Sequence, residues 1–105
     1  MHSVVADQTH ALADLCRRYG VTRLEVFGSA ARGMDFDPAR SDVDFLVEFA
    51  PEAMYDRDPL PEFNQDLERL LGRSVDVLER PVIEESRNYI RRQLILGDAE
   101  TVYER

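Results

Sequence analysis

A nine-residue segment in the middle of the chain, SDVDFLVEF from Ser41 to Phe49, predicts a β-strand with two unlike faces. Side chains two positions apart in a strand lie on the same face of the sheet. One face carries four apolar side chains: Val43, Phe45, Val47 and Phe49. The opposite face begins with two carboxylates, Asp42 and Asp44. Their α-carbons are expected about 6–7 Å apart, so both carboxylates can reach a common cation.

Helices and strands alternate through the rest of the chain. Apolar side chains recur with helical spacing over residues 3–19, 59–71 and 83–96, and Gly72 and Gly97 are expected to end the last two helices. Strands are predicted over 21–27, from about 42 to 49, over 74–79 and, as a short final addition, over 100–104. Residues 50–58 are predicted to form an exposed loop. This order indicates an α/β two-layer domain around a small mixed sheet of three or four strands.

Length, charge and composition narrow the class of protein. The 105 residues are expected to form one domain, 1–105, and the formal charge of −8 makes the chain a poor non-specific binder of nucleic acid. No apolar run is long enough to cross a membrane, and no signal-peptide pattern precedes the first helix. The single cysteine, Cys16, cannot form an internal disulfide. We therefore expect a cytoplasmic protein.

A third aspartate also lies on the polar face of a predicted strand. In SVDVLE, residues 74–79, Val75 and Val77 share the apolar face and Asp76 lies opposite. A lone Asp-x-Asp is more often a solvated strand face than a ligand, but Asp is disfavoured in strands, so a third one at a matching position favours a site. If the two strands pair, three carboxylates repel one another unless a cation lies between them. Mg²⁺, which prefers oxygen ligands, is the natural candidate.

The turn after the first predicted strand supplies a possible phosphate site. In EVFGSAARG, Gly28 can bring backbone N–H groups close to an anion, and Ser29 adds a hydroxyl donor where a short helix begins. Gly-Ser alone is an ordinary turn dipeptide. Beside a cation site on the next strand, it indicates a site for a nucleoside triphosphate with its metal. Arg32 either adds a cationic contact to the phosphates or is a solvated turn residue.

The combination FGSAARG, SDVDFLVEF and VDVLE resembles the minimal nucleotidyltransferase domains of the DNA-polymerase-β-like superfamily over nearly the whole chain. Twelve residues separate Ser29 from Asp42, about two more than is usual, in a loop that tolerates insertion. The resemblance implies that Asp42 and Asp44 bind the Mg²⁺ that accompanies ATP, and that Asp76 joins them around a second Mg²⁺. It also implies that Asp76 accepts the proton of the attacking hydroxyl and that Gly28 and Ser29 hold the β- and γ-phosphates.

Stand-alone domains of this kind resemble the antitoxins of two-gene modules whose toxin is a HEPN-domain ribonuclease. The resemblance implies transfer of AMP from ATP to a hydroxyl of that toxin, a tyrosine, within a hetero-oligomeric complex. No nucleic acid and no membrane partner are expected. Two alternatives stay open. The chain could neutralise its partner by binding alone, with a vestigial nucleotide site, or it could be a small-molecule nucleotidyltransferase.

Overall fold

The computed structural model of the chain describes residues 1–105 and contains a single four-stranded sheet. Its strands are β1 Val21–Phe27, β2 Val43–Phe49, β3 Val75–Glu79 and β4 Glu100–Glu104. They lie in the order β3-β2-β1-β4. Strand β1 is antiparallel to both β2 and β4, whereas β2 and β3 are parallel. The predicted α/β domain with a small mixed sheet is confirmed, including the final strand.

Six α-helices and one 3₁₀ turn surround this sheet. The helices are α1 Ser3–Ala6, α2 Thr9–Tyr19, α3 Ser29–Arg32, α4 Leu60–Leu71, α5 Arg80–Glu84 and α6 Tyr89–Asp98. The 3₁₀ turn, Pro51–Met54, lies in the segment predicted to be an irregular loop. None of the helices is long and apolar enough to span a membrane.

Helix α4 forms the crossover between the two parallel strands, β2 and β3. The Asp58 carboxylate accepts a hydrogen bond from the Leu60 amide at 3.0 Å, which satisfies a free donor of the first turn. At the other end Gly72 adopts φ 67° and terminates the helix. Phe63 and Leu67 are fully buried on the sheet. The helix thus begins one residue after its predicted start and ends at the predicted glycine.

The prediction of one helix over residues 3–19 is wrong, because the chain bends between α1 and α2. Asp7 ends α1, and Gln8, at φ −116° and ψ 15°, leaves the helical conformation. The bend lets α1 follow the segment after β1, where the His2 amide donates to the Ala30 carbonyl at 2.7 Å. The bend directs both helices towards the core, so that Val5 of α1 and Leu12 of α2 are both buried.

The prediction of one helix over residues 83–96 is also wrong. The chain forms α5 and α6 separately, and the Asn88 side chain caps α6 by accepting from the Arg91 amide at 3.1 Å. This new start changes the phase of the helix. Ile90 and Leu94, which share the predicted apolar side of the helix with Ile83, are 70% and 66% exposed, and Ile95 is buried instead. Gly97 lies inside α6 and does not end it.

The two faces of the sheet are covered unequally. The main core lies between one face and helices α2 and α4, and includes Leu12, Cys16, Phe45 and Phe63. Burial raises the pKa of the Cys16 thiol to about 12. On the opposite face a small cluster joins the sheet to α5 and α6: Phe27, Leu46, Ile83 and Ile95. The carboxylate-bearing face of β2 is therefore covered along its middle and is accessible beside its first residues.

Candidate active site

Three aspartates lie on adjacent strands at one end of the sheet. Asp44 and Asp76 are direct partners in the parallel pairing of β2 with β3, and Asp42 immediately precedes β2. Asp42 and Asp76 are exposed, while Asp44 is half-buried. On the other side of β2, Asp44 pairs with Phe27, the last residue of β1. The predicted pairing of the two Asp-bearing strands is thus observed, and it brings the three aspartates together where β2 and β3 begin. We call this end of the sheet the aspartate edge.

These carboxylates repel one another strongly enough to affect ionisation. Burial is the largest cause that raises the pKa of Asp44 to about 6; the charges of Asp76 and Asp42 act in the same direction, and Arg32 opposes them. None of the three aspartates forms an ion pair with an arginine. The protein therefore holds concentrated negative charge at this edge without neutralising it, which is the electrostatic requirement of a cation site.

Gly28 packs its backbone directly against the Asp44 carboxylate. A Cβ atom at this position would lie 2.7 Å from Oδ2 of Asp44, closer than non-bonded atoms can approach. The backbone of Gly28, at φ 69° and ψ −150°, also lies in a region that only glycine adopts readily. Its carbonyl accepts the amides of Ala31 and Arg32, both at 3.1 Å, so that Ser29 opens α3 beside the carboxylates. The Gly-Ser turn and Asp44 therefore form one continuous surface.

Arg32 lies at the same edge but is engaged with carboxylates of the protein. Its guanidinium pairs with Asp35 at 2.8 Å and with Asp98 at the end of α6. These hydrogen bonds and charges raise the pKa of Arg32, and the bond to Asp35 is the largest cause. The side chain is 48% exposed. Phosphate binding by Arg32 stays a prediction, and in this structure its observed role is to tie the turn to α6.

Comparison with known proteins agrees with this geometry. A family model described as nucleotidyltransferase domain matches residues 10–96, which include the turn and all three aspartates. The chain belongs to the nucleotidyltransferase domain family. No curated protein matches the sequence significantly.

Solved structures similar to this nucleotidyltransferase domain extend the comparison. A candidate minimal nucleotidyltransferase is 30% identical, with a TM-score of 0.69 and coverage of 95% of both chains. A toxin–antitoxin structure with AMP-PNP is 17% identical, with a TM-score of 0.60, covering 92% of this chain and 73% of that one. A complex of a tri-AMPylated Shewanella oneidensis HEPN toxin with its MNT antitoxin is 15% identical, with a TM-score of 0.56, covering 95% and 72%. The last two share the fold.

The donor set of the nucleotidyltransferase domain fits a hard divalent cation. All three acidic groups offer carboxylate oxygens, and repulsion between them is relieved by a cation. No group of three or more His, Cys, Asp or Glu side chains is already arranged to hold a metal by itself. This is compatible with Mg²⁺, which commonly takes one or two carboxylates and completes its coordination with water and substrate phosphate.

A second acidic group on this face escaped the sequence analysis. Glu25 of β1 is 3% exposed, pairs with Arg80 at the start of α5 and lies 3.4 Å from Nε of Arg23. Its place two residues before Phe27 puts it on the carboxylate face of the sheet. A charged residue between the apolar Leu24 and Val26 was a usable sign, but its partner Arg80 is distant in sequence. In the nucleotidyltransferase domain this ion pair fixes α5 to the sheet.

Proposed function

We propose that this nucleotidyltransferase domain transfers AMP from ATP to a hydroxyl of a protein partner, namely a tyrosine of a HEPN-domain toxin, and thereby acts as its antitoxin. The observation that carries the proposal is the contact between Gly28 and Asp44. It supports the proposal because it would let the Gly-Ser turn and the carboxylates act as parts of one site. A phosphate held at Gly28 and Ser29 would lie beside the carboxylates that bind the accompanying cation.

Asp42 and Asp44 would hold Mg²⁺ together with the triphosphate, and Asp76 would help hold a second Mg²⁺. When bound, these ions supply stabilisation of negative charge on the attacking and leaving oxygens. Gly28 and Ser29 orient the β- and γ-phosphates. The acceptor oxygen forms a bond to the α-phosphorus while the bond to the β-phosphate oxygen breaks and pyrophosphate leaves. Asp76, the exposed aspartate on the neighbouring strand, takes the proton of the hydroxyl.

The choice of acceptor rests on the solved structures that share the fold. One similar toxin–antitoxin structure contains AMP-PNP, and another pairs an MNT antitoxin with a tri-AMPylated HEPN toxin. AMP transfer to a protein hydroxyl is therefore the activity we infer for this chain. The exposed position of the aspartate edge is consistent with an acceptor that is itself a macromolecule.

The test is intact-mass spectrometry of the product of the adjacent gene after incubation with this protein, ATP and Mg²⁺. We expect a mass gain in whole AMP units, which disappears with the Asp42→Ala/Asp44→Ala variant. Glu48→Ala is the matched control, because Glu48 lies on the same strand face but beyond the covered middle of β2. Transfer that persists in the double alanine variant would contradict the proposed site.

Neutralisation by binding alone is the second candidate function. It is favoured by one observation: Arg32, the arginine beside the turn, is already engaged by Asp35 and Asp98. In that case a stable complex forms with the partner, no AMP is added, and the double alanine variant neutralises the partner as well as the wild type does. The same experiment therefore separates the two functions.

A further inference from the structure

Helix α6 exposes a cluster of large apolar side chains. Seven large apolar side chains are exposed in the whole chain, and three of them lie on α6: Tyr89, Ile90 and Leu94. Ile90 and Leu94 are one helical turn apart and share a face, and both line a groove of about 620 Å³ along the helix. We call this surface, with Tyr89 beside it, the α6 face. Exposed apolar side chains that cluster in this way are typical of interaction sites.

The α6 face is also locally basic, although the chain as a whole is strongly acidic. Seven of the thirteen arginines form ion pairs with carboxylates. Arg87, Arg91 and Arg92 form none, and all three lie on α6 or just before it. Arg92 stacks over the Tyr89 ring, with 5.4 Å between its guanidinium carbon and the ring centroid. The surface thus offers apolar contacts surrounded by unpaired positive charge, which fits an apolar patch with an acidic rim.

Helix α6 borders the candidate active site. Its inner side packs Ile95 against Phe27 and Leu46 on the carboxylate face of the sheet. Its last residue, Asp98, pairs with Arg32, the last residue of α3, the short helix that follows Gly28. A protein bound to the outer side of α6 therefore contacts a helix that is joined, through Arg32 and Phe27, to the residues beside Asp44. A protein acceptor needs such a surface, since its hydroxyl must be held beside the phosphate for transfer.

We propose that the α6 face is the docking surface for the protein that receives AMP, and that it binds an apolar patch of that protein bordered by Asp and Glu. This inference rests on the proposed function for the identity of the partner. A second copy of this chain is a poorer occupant. A twofold contact through the α6 face would bring the same three arginines of both copies into one interface.

The test compares the wild type with Ile90→Asp/Leu94→Asp, whose two positions are exposed and whose replacement leaves the core intact. The affinity for the product of the adjacent gene is measured by isothermal titration, and the Mg²⁺–ATP affinity is measured separately. We expect at least tenfold weaker partner binding, since the variant replaces two apolar anchors that the partner would bury with charged groups. The Mg²⁺–ATP affinity should change less than about twofold, because neither residue belongs to the nucleotide site.

Tyr55→Asp is the matched control, because Tyr55 is 87% exposed and follows the end of β2 that is remote from the aspartates. It should bind the partner like the wild type. Reversing the charges with Arg87→Glu/Arg91→Glu should slow association and reduce its dependence on salt. Transfer by the Ile90/Leu94 variant should recover at high partner concentration, because docking affects KM and not the chemical step.

Unchanged partner binding by Ile90→Asp/Leu94→Asp would overturn the proposal, as would a wild-type protein that forms no complex with the partner. A wild-type dimer that becomes monomeric in this variant, with partner binding unaffected, would assign the α6 face to a second copy. If the wild type binds its partner but transfers no AMP, the proposed function fails while the affinity comparison still decides the docking surface.

Discussion

Glu25 and Asp44 lie on neighbouring strands and on the same face of the sheet, yet their surroundings are opposite. Glu25 is buried and is neutralised by Arg80, with Arg23 nearby. Asp44 is half-buried, has Asp42 and Asp76 as its charged neighbours, and pairs with no arginine. The chain contains thirteen arginines, and one of them, Arg32, is already close to this edge but is paired with Asp35 and Asp98.

This difference is the one expected between a carboxylate that serves the fold and a carboxylate that binds a ligand. A buried carboxylate that serves the fold receives its counter-charge from the protein, because an unpaired buried charge is costly. The aspartate edge has no internal counter-charge, and its repulsion is tolerated because the edge remains open to solvent and to an incoming cation. Each of the following predictions changes one side of this comparison.

The largest effect is expected for Asp76→Ala, which removes the proposed proton acceptor. Transfer should slow by on the order of 10²–10⁴-fold, the usual contribution of a general base. Because Asp42 and Asp44 remain, ATP binding should persist. Single-turnover kinetics with Mg²⁺ and ATP would measure both quantities, and Glu48→Ala serves as the control carboxylate. A loss of ATP binding as large as the loss of rate would instead assign Asp76 to nucleotide binding.

Removing the counter-charge of Glu25 should destabilise the fold. Arg80→Ala leaves a buried carboxylate with only Arg23, at 3.4 Å, and should lower the free energy of unfolding by about 3 kcal/mol, measured by urea denaturation. The double variant Glu25→Leu/Arg80→Met replaces both charges with apolar groups and should recover most of that loss. If Arg80→Ala has the stability of the wild type, the ion pair does not fix α5 to the sheet.

Gly28→Ala should impair both the fold and the site. The added methyl group meets the Asp44 carboxylate, and the backbone conformation is unfavourable for alanine, so we expect a loss of about 2 kcal/mol in unfolding free energy. Gly72→Ala is the matched control: φ is 67° there, but no atom lies within 4 Å of an added Cβ. The control should lose about 1 kcal/mol. ATP affinity should fall only in Gly28→Ala.

The smallest effect concerns the repulsion itself. The pKa of Asp44 is raised from 3.8 to about 6, so the folded state holds this proton more tightly than the unfolded chain does. Its ionisation therefore destabilises the fold as pH rises from about 4 to 6. In metal-free buffer Asp44→Asn should stabilise the protein at pH 7 by about 1 kcal/mol, a value reduced for the partial exposure of the group, and by nothing below pH 4. Urea denaturation at both pH values, with Glu48→Gln as control, measures the difference.

The sequence allowed the aspartate edge to be predicted more reliably than the helices. The alternation in β2 assigns each side chain to a face directly, and the parallel pairing with β3 then brings Asp76 beside Asp44. In α6 the sequence offers several apolar residues, and more than one stripe could face the sheet. The helix phase depends on the cap at Asn88, a local signal that the prediction of one long helix overlooked. It also depends on the packing of Ile95 against Phe27, which no local pattern reveals.

The pairing of Glu25 with Arg80, like that of Arg32 with Asp98, joins residues far apart in sequence. Such contacts depend on where α5 and α6 cross the sheet. The sequence and its resemblance to a family could therefore identify the three aspartates. The contacts of α5 and α6 beside them could be described only from the positions of these helices in the structure.

Because α4 connects the two strands that carry Asp44 and Asp76, binding at these aspartates is expected to affect the local stability of α4. Asp44 and Asp76 belong to strands that α4 connects, and Phe63 and Leu67 hold this helix on the opposite face of the sheet. Any local opening that releases β3 together with α4 also separates the two carboxylates. A cation and nucleotide bound there should suppress such openings by mass action. Amide hydrogens of α4, remote from the ligand, should then exchange with solvent more slowly.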